Sequence, residues 1–363
     1  MYIDKLSLKD FRNYESLEIS FDPSTNIIYG DNAQGKTNIL EAVFLSATTK
    51  SHKQSKDRDI IRFGNEEAHI RTELVKNEIP YRVDMHLRKN RTKVIAINGV
   101  PIKKAAELMG ILKIVFFSPE DLSIIKSGPA ERRRFIDMEL CQLDPYYLNN
   151  LSVYNKTVNQ RNRFLKDTDP SLINESGSMI DVYDEQLVKY GLRIIERRKA
   201  FIKELGDILV GIHSQISGEK EKCSIVYRPE SETDAYKENL FMARKKDIRF
   251  KTTSVGPHRD DISFDINGND VRKFGSQGQQ RTVALSLKLS EIELIKRNTG
   301  DTPVLLLDDV LSELDGSRQD FLLESIKDIQ TIITCTGLDD FVDRHFNINK
   351  TFNIVNGSIK DKG

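Results

Sequence analysis

Ile27-Ile28-Tyr29-Gly30-Asp31-Asn32-Ala33-Gln34-Gly35-Lys36-Thr37-Asn38 is the stretch on which the fold turns: an apolar, strand-like run opens directly into a complete Walker A pattern. Gly30 and Gly35 let the chain curl without Cβ clashes, so successive N–H groups can face the α- and β-phosphates of a nucleotide. Lys36 is placed to reach the β/γ-phosphates, and the Thr37 hydroxyl to coordinate Mg²⁺. The residues that follow, Asn38–Leu45, read as a helix with Ile39, Leu40, Val43 and Phe44 on its buried side. Its positive end would point at the phosphates. The expected nucleotide-binding set is therefore Gly30, Asp31, Asn32, Ala33, Gln34, Gly35, Lys36, Thr37 and Asn38, with ATP and Mg²⁺ as ligands.

Outward from this loop, Tyr2–Leu8, Leu17–Phe21 and Asn26–Tyr29 read as strands. Ala68–Lys76 and Tyr81–Leu87 flank Asn77-Glu78-Ile79-Pro80 as a hairpin, and Thr92–Ile97 is closed by the turn signal Asn98-Gly99. Ile111–Phe117 leads to Ser118-Pro119-Glu120-Asp121, a helix start with a Ser cap, Pro next and an acid three residues on. From Gly128 the texture changes. Tyr147, Leu151, Tyr154, Val158 and Leu165, then Leu187, Tyr190, Ile194, Phe201, Leu205, Ile208 and Ile212, follow a three/four alternation. This predicts two antiparallel helices joined by Asp167–Gly177, with a narrow apolar seam, as a short arm about 30 Å long. The inner halves of these helices equally suit packing on a core. Strand texture returns at Cys223–Arg228, a helix follows over Glu232–Lys246, and Ile262–Ile266 with Asn267-Gly268 signals another hairpin. Leu285, Leu289, Ile292 and Ile295 mark a long amphipathic helix, and Val304–Leu307 and Thr331–Thr334 are buried strands.

Composition bounds the class. The 363 residues are 38% hydrophobic and 30% charged, which describes a water-soluble chain able to bury a core. No apolar run approaches the roughly 20 residues of a membrane span, and Met1-Tyr2-Ile3-Asp4-Lys5-Leu6 lacks an export signal's basic-then-apolar plan. Cys141, Cys223 and Cys335 lie far apart, which fits a reducing cytosol and argues against a zinc site. With 55 basic and 55 acidic residues the net charge is zero, so bulk charge does not pull the chain onto nucleic acid, although a local basic face can.

Val304-Leu305-Leu306-Leu307-Asp308-Asp309 is a Walker B pattern: a strand buried on both faces delivers Asp308 toward Mg²⁺. Asp309 is the candidate to orient or deprotonate an attacking water. The bland alternative is a pair of acids capping the next helix. Ser312-Glu313-Leu314-Asp315 follows. Upstream, Ser276-Gln277-Gly278-Gln279 opens the long helix as a second small, glycine-containing anion cradle. One nucleotide does not need two cradles from one molecule, so Ser276 and Gly278 are expected on the γ-phosphate of another copy's nucleotide. The plain alternative is an ordinary helix cap at Ser276.

In this order, Walker A, Ser-x-Gly-Gln, Walker B and Ser-x-Leu-Asp resemble an ABC-type ATPase head, and the details resemble the RecF family of its SMC-like branch. Those details include Leu8-Lys9-Asp10-Phe11-Arg12-Asn13-Tyr14, Ser51-His52-Lys53, Phe117–Leu122, Arg132–Asp137, Gln160-Arg161-Asn162, Gly256–Asp261, Ser276–Arg281 and Leu307–Asp315. The resemblance implies an α/β fold, an ABC/SMC-like P-loop ATPase head with a mixed β-sheet, plus a helical lobe carrying a short antiparallel coiled-coil-like arm. Lobe I is expected over 1–126 and 300–363, and lobe II over 127–299. It also implies a cytoplasmic, nucleoid-associated protein of bacterial recombinational repair and replication. Such a protein forms an ATP-dependent homodimer, binds DNA at gaps or single/double-strand junctions, and works with RecR and RecO to load the recombinase. By position in the family pattern Arg12 and Asn13 contact the nucleotide near its adenosine or α-phosphate, and Pro119-Glu120-Asp121 lies where related ATPases have their Q-loop.

Two departures from the wider ABC pattern bear on turnover. Asp309 stands where the usual catalytic residue is Glu, one methylene longer, and Cys335-Thr336-Gly337 carries no switch histidine. Slow hydrolysis is expected, with Asp309 and Lys36 as catalytic residues and ATP acting mainly as a dimerisation switch. DNA-contact candidates are Lys53, Lys56, Arg58, Arg91 and Lys93, from basic clusters that are otherwise ordinary solvated faces. Lys103-Lys104 and Arg244-Lys245-Lys246 are further clusters, Arg132-Arg133-Arg134 could instead pair with acids of the arm, and base stacking looks secondary. The alternatives are the nucleotide subunit of an ABC transporter, in which the signature follows Walker A far more closely, and another P-loop NTPase, which would not need Ser276–Gln279.

Overall fold

The computed structural model describes residues 1–169, 179–338 and 348–360. It divides into two compact units, one formed by Met1–Asp121 with Leu285–Gly363 and the other by Leu122–Ala284. The sequence places these boundaries at 126/127 and 299/300. The later one falls earlier because the helix Gln277–Thr299 carries the chain from one unit to the other instead of ending the second.

In the first unit, one sheet orders its strands as Ser358–Lys360, Lys350–Val355, Thr25–Tyr29, Thr331–Cys335, Val304–Asp308 and Ile114–Phe117. All neighbours are parallel except the terminal hairpin. Parallel strands covered on both faces require near-continuous apolar runs, and Ile27, Ile28, Val304–Leu307, Ile332 and Ile333 are all buried. The other sheet is antiparallel, in the order Tyr14–Ser20, Tyr2–Phe11, Glu67–Lys76, Ile79–Arg88, Arg91–Ile97, Val100–Pro101. Ala68, Ile70, Thr72 and Leu74 are buried and alternate with solvated neighbours, as a sheet with one wet face demands.

The hairpin turn is tighter than the four residues expected. Asn77 and Glu78 alone form it, both with positive φ (50° and 63°), the primed geometry that matches strand twist. Pro80 pairs with Val75 inside the strand. It is tolerated there because its missing N–H falls on the side facing away from Val75.

In the second unit, helices Pro145–Asp167 and Met179–Ile216 form the expected pair. Most of their Asp167–Gly177 connection lies outside the described residues. Asp144 caps the first helix, accepting from the N–H groups of Tyr146 (2.9 Å) and Tyr147 (3.1 Å), with Pro145 at the first helical position. The seam is not simply apolar. The gaps in the apolar repeat between Val158 and Leu165, and between Ile194 and Phe201, are filled by Arg161 and Arg198, both fully buried.

Arg161 donates to Asp184 (2.7 Å), Asp247 (2.7 Å) and Thr253 (3.0 Å). Arg198 donates to Tyr147 (2.9 Å), the Pro257 carbonyl (2.6 Å), Asp260 (2.9 Å) and Asp137 (2.7 Å). A cation cannot be buried unpaired, so these carboxylates are what permit arginine in the seam.

The expected helix over Glu232–Lys246 is two short helices, Tyr236–Met242 and Arg244–Phe250, separated at Ala243. A three-stranded antiparallel sheet, Asn269–Asp270, Asp261–Ile266 and Cys223–Arg228, completes this unit. Arg132 pairs through Nε and Nη2 with Asp261 (2.6 and 2.9 Å), so its partner comes from this sheet and not from the arm helices. The helix Gln277–Thr299 is buried on all sides from Thr282 to Ile292, which corrects the amphipathic expectation.

Candidate functional site

The phosphate loop sits between the carboxyl end of Thr25–Tyr29 and the helix Lys36–Thr48. Gly30 and Gly35 have φ of 145° and 112°. A Cβ at Gly30 would lie 2.4 Å from the Ile354 carbonyl oxygen, and one at Gly35 would lie 2.5 Å from the Asn13 side chain, so only glycine fits either position. Lys36 is 8% exposed and donates to the carbonyls of Gly30 (2.6 Å) and Asp31 (2.8 Å). Among the described residues it makes no ion pair. Its buried positive charge is held by two neutral dipoles at the mouth of an anion cradle.

Asp308 ends the strand Val304–Asp308 and accepts from the Thr37 hydroxyl at 2.9 Å. The strand Thr331–Cys335 lies between the Walker B strand and the phosphate-loop strand, with Asp308, Thr334 and Ile28 in one register row. Thr334 therefore reaches Asp308 as well, its hydroxyl donating at 2.7 Å. Thr37 and Asp308 present hard oxygen atoms side by side, a donor set that fits Mg²⁺.

Asp309 adopts φ of 55°, and its N–H is held by the Thr334 carbonyl (3.2 Å) and hydroxyl (3.1 Å). Burial pushes its carboxyl above the usual range. Asp308 and Glu313 push in the same direction, and the Lys36 ammonium opposes them.

Around the loop, Asn13 donates to the Gln34 carbonyl (2.9 Å) and accepts from the Asn38 side chain (2.8 Å). Arg12 turns away from this edge. It grips the fully buried Glu41 of the loop helix with Nε and Nη2 (2.8 and 2.7 Å) and also donates to Ser55 (2.7 Å) and the Asp59 carbonyl (2.8 Å). Burial alone would raise the Glu41 carboxyl; the Arg12 fork and the Ser51 hydroxyl hold it below the ordinary value.

Asp121 accepts from the Ser118 N–H at 2.7 Å, as the helix-start pattern expects. Burial raises its carboxyl against the pull of Lys288, 3.8 Å away.

In the second unit, Ser276 is exposed at the start of Gln277–Thr299. It and Gln279 form a reciprocal cap: the Gln279 side chain accepts from the Ser276 N–H (2.9 Å), and the Ser276 hydroxyl accepts from the Gln279 N–H (3.2 Å). The cap uses a hydroxyl lone pair and leaves its proton available to an incoming anion.

A family model described as the RecF/RecN/SMC N-terminal domain matches residues 2–344. The "DNA replication and repair protein RecF" of Agathobacter rectalis is 61% identical over 362 residues, and that of Lachnospira eligens 58% over 359, with 99% of each chain covered in both cases. The chain belongs to the RecF family. A solved structure of the recombination mediator protein RecF with ATP, from the RecFOR pathway, superposes with a TM-score of 0.92 at 34% identity, covering 100% of this chain and 98% of that one. An Smc head domain bound to part of ScpA matches with a TM-score of 0.58 at 16% identity, covering 99% of this chain and 96% of that one, which shows the fold alone. The architecture is the α/β ABC/SMC-like head expected from the sequence.

Of the RecF-like basic candidates, Lys53, Lys56, Arg58 and Arg91 are exposed, with Arg58 3.5 Å from Asp59. Lys93 differs from these four: its ammonium is engaged by the Thr49 carbonyl (2.5 Å) and Asp57 (2.9 Å), so it is not a free cation. Several residues of the loop's surroundings escaped the sequence. The Tyr14 hydroxyl donates to the Gly35 carbonyl at 3.0 Å. The terminal hairpin turn reaches the loop as well: the Asn356 N–H donates to the Gln34 side chain (2.5 Å) and the Gly357 N–H to the Gln34 carbonyl (3.3 Å). Asn356-Gly357 is itself a strong hairpin signal and was the available clue. Thr334 left none, because a threonine in a buried strand looks like any other β-former.

Proposed function

We propose that this chain is an ATP-dependent DNA-binding protein of recombinational repair and replication that uses nucleotide chiefly as a dimerisation switch. Lys36 and the loop N–H groups hold the phosphates, and Thr37 and Asp308 hold Mg²⁺. Ser276, Gln277, Gly278 and Gln279 of one copy complete the γ-phosphate site of another. The ATP-closed homodimer binds gapped duplex or single/double-strand junctions through exposed cations, with Lys53, Lys56, Arg58 and Arg91 as candidates, and cooperates with RecR and RecO in loading the recombinase in the cytoplasm, at the nucleoid. Among the described residues no helix is long and apolar enough to cross a membrane.

The observation that carries this reading is the buried Lys36 ammonium, held among the described residues by carbonyls alone, beside the Thr37–Asp308 pair. An anion carrying a divalent cation answers both features at once. Arg12 is already committed to Glu41, so a nucleotide contact from Arg12 requires the adenosine or α-phosphate to share or displace that pair.

Sedimentation with ATP, ADP or no nucleotide, with and without gapped DNA, tests the proposal. Wild type should dimerise with ATP, and Ser276→Arg should not. A wild type that stays monomeric throughout, or a Ser276→Arg variant that dimerises normally, refutes the shared site. Hydrolysis should be slow, because a carboxylate one methylene short misplaces the attacking water, and about 1 Å of misplacement costs roughly a hundredfold. Asp309→Asn should remove the residual turnover and keep ATP binding.

A further inference from the structure

We infer that the paired short helices Tyr236–Met242 and Arg244–Phe250 present a stacking platform for single-stranded DNA, so that the second unit reads the unpaired part of a gap or junction. The inference rests on the DNA-binding reading above and concerns a different surface from the nucleotide site.

The inner side of these helices is fixed. Asp247 is fully buried and ties Arg161 to the Ser254 N–H (3.0 Å) and hydroxyl (2.6 Å). Ile248 packs with Leu165 and Ile180 of the arm helices. Tyr236 and Leu240 are likewise buried. Arg244, counted in sequence among the basic cluster, is not available: it pairs with Asp184 and Asp181, both at 2.6 Å.

With one side nailed down, the outer side is displayed without freedom to bury itself. It carries Phe241, Met242 and Phe250, exposed to 63%, 67% and 60%, with the exposed cations Lys245, Lys246 and Arg249 between Met242 and Phe250 in sequence. Among the described residues, no ion pair engages any of those three cations.

Three large apolar side chains left in water within ten residues are not explained by folding, since nothing is gained by exposing them. Their chemistry points to one ligand class. Bases have apolar faces that stack on phenylalanine, and phosphates spaced between them suit lysine and arginine. The Arg244 guanidinium lies 4.7 Å from the Phe241 ring centre and that of Arg249 5.4 Å from Phe250, so each ring is braced by a cation and keeps surface for a base. The sequence ranked stacking as secondary because aromatics looked sparse near the basic clusters. The anchored helices change that ranking: Asp247 and Ile248 are buried while Lys245, Lys246, Arg249 and Phe250 stay exposed on the same short helix, after the exposed Phe241 and Met242 of the helix before it. A protein partner with acidic and apolar residues is the competing occupant. Lys245 and Lys246 argue against it, because lysine is depleted at protein interfaces.

The chain has 11 tyrosines but no tryptophan, so Phe250→Trp and Phe241→Trp each create a sole tryptophan, excitable apart from the tyrosines, on an exposed position. Titrating either variant with oligo(dT) at low salt should quench its emission, and Phe250→Ala should weaken oligo(dT) binding roughly 5- to 100-fold. Lys246→Ala should lower the salt slope for that ligand by about 0.7. ATP-dependent dimerisation and binding of fully paired duplex should persist in all of these variants, so a failure of the general reading shows separately as a wild type that does not dimerise. Emission that stays constant while oligo(dT) binds overturns the inference and leaves the surface to a protein partner. Wild-type protein that does not bind oligo(dT) at all overturns it too.

Discussion

The phosphate loop and the arm seam both bury positive charge, and they do so in opposite ways. In the seam, Arg161 and Arg198 are neutralised within the chain by Asp184, Asp247, Asp137 and Asp260. In the loop, the Lys36 ammonium donates, among the described residues, only to two backbone carbonyls. Desolvating a cation is costly in either place, but only the seam supplies permanent counter-charges. The loop keeps its cation undercompensated, with provisional partners that a phosphate can displace. A buried charge with its carboxylates in place is architecture; one resting on dipoles is a site waiting for an anion.

The contrast can be broken by substitution. Arg198→Ala strands Asp260 and Asp137, and should cost about 3–5 kcal/mol in urea-induced unfolding. Lys36→Ala should leave unfolding within about 1 kcal/mol of wild type, yet weaken ATP binding by roughly 30- to 150-fold, the loss of charged hydrogen bonds worth about 2–3 kcal/mol. Equal destabilisation by the two variants would erase the distinction.

A third change sharpens it on the seam side. His258 donates from Nε2 to the Thr253 carbonyl (3.0 Å) and accepts the Tyr154 hydroxyl at Nδ1 (2.8 Å), and burial pushes its pKa down to about 4. The unfolded chain takes up that proton first, near pH 6.5, so stability is full above 6.5 and falls as the pH drops toward 4. The loss should be on the order of 3 kcal/mol by pH 4 and should flatten in His258→Gln. The smallest expected effect is at the signature. Ser276→Ala removes the reciprocal cap and should cost about 1 kcal/mol, measured by thermal unfolding, in contrast to the loss of dimerisation expected of Ser276→Arg.

Much of this was readable beforehand, and where it was not, one kind of residue explains the gap. Walker A and Walker B are local patterns whose spacing is set by backbone geometry, so Gly30–Asn38 and Asp308 could be located before the fold was known. The helical pair was legible from its three/four repeat. Yet that repeat skipped a position in each helix, and the skipped positions were Arg161 and Arg198. An arginine in an apolar repeat looks like an interruption until the aspartates of distant segments are brought to it. Arg12 shows the same limit. Its place in the family motif suggested nucleotide, while the fold gives its guanidinium to Glu41 across the loop helix. Pro80 resembles a turn former and so lengthens the turn expected around Asn77-Glu78 by two residues; only strand pairing shows which side its missing N–H faces.

By itself the chain's order of residues determined the family, the α/β class, the phosphate cradle and the existence of the arm, because each rests on contacts between near neighbours or on periodicity along one element. Only the tertiary structure decided which cations are spent and which are free: Arg198, Arg161, Arg12, Arg244 and Lys93 are held by partners far away in sequence, while Lys36 is left to carbonyls within its own loop. Charge compensation depends on distance in space, and no spacing along the chain encodes that distance.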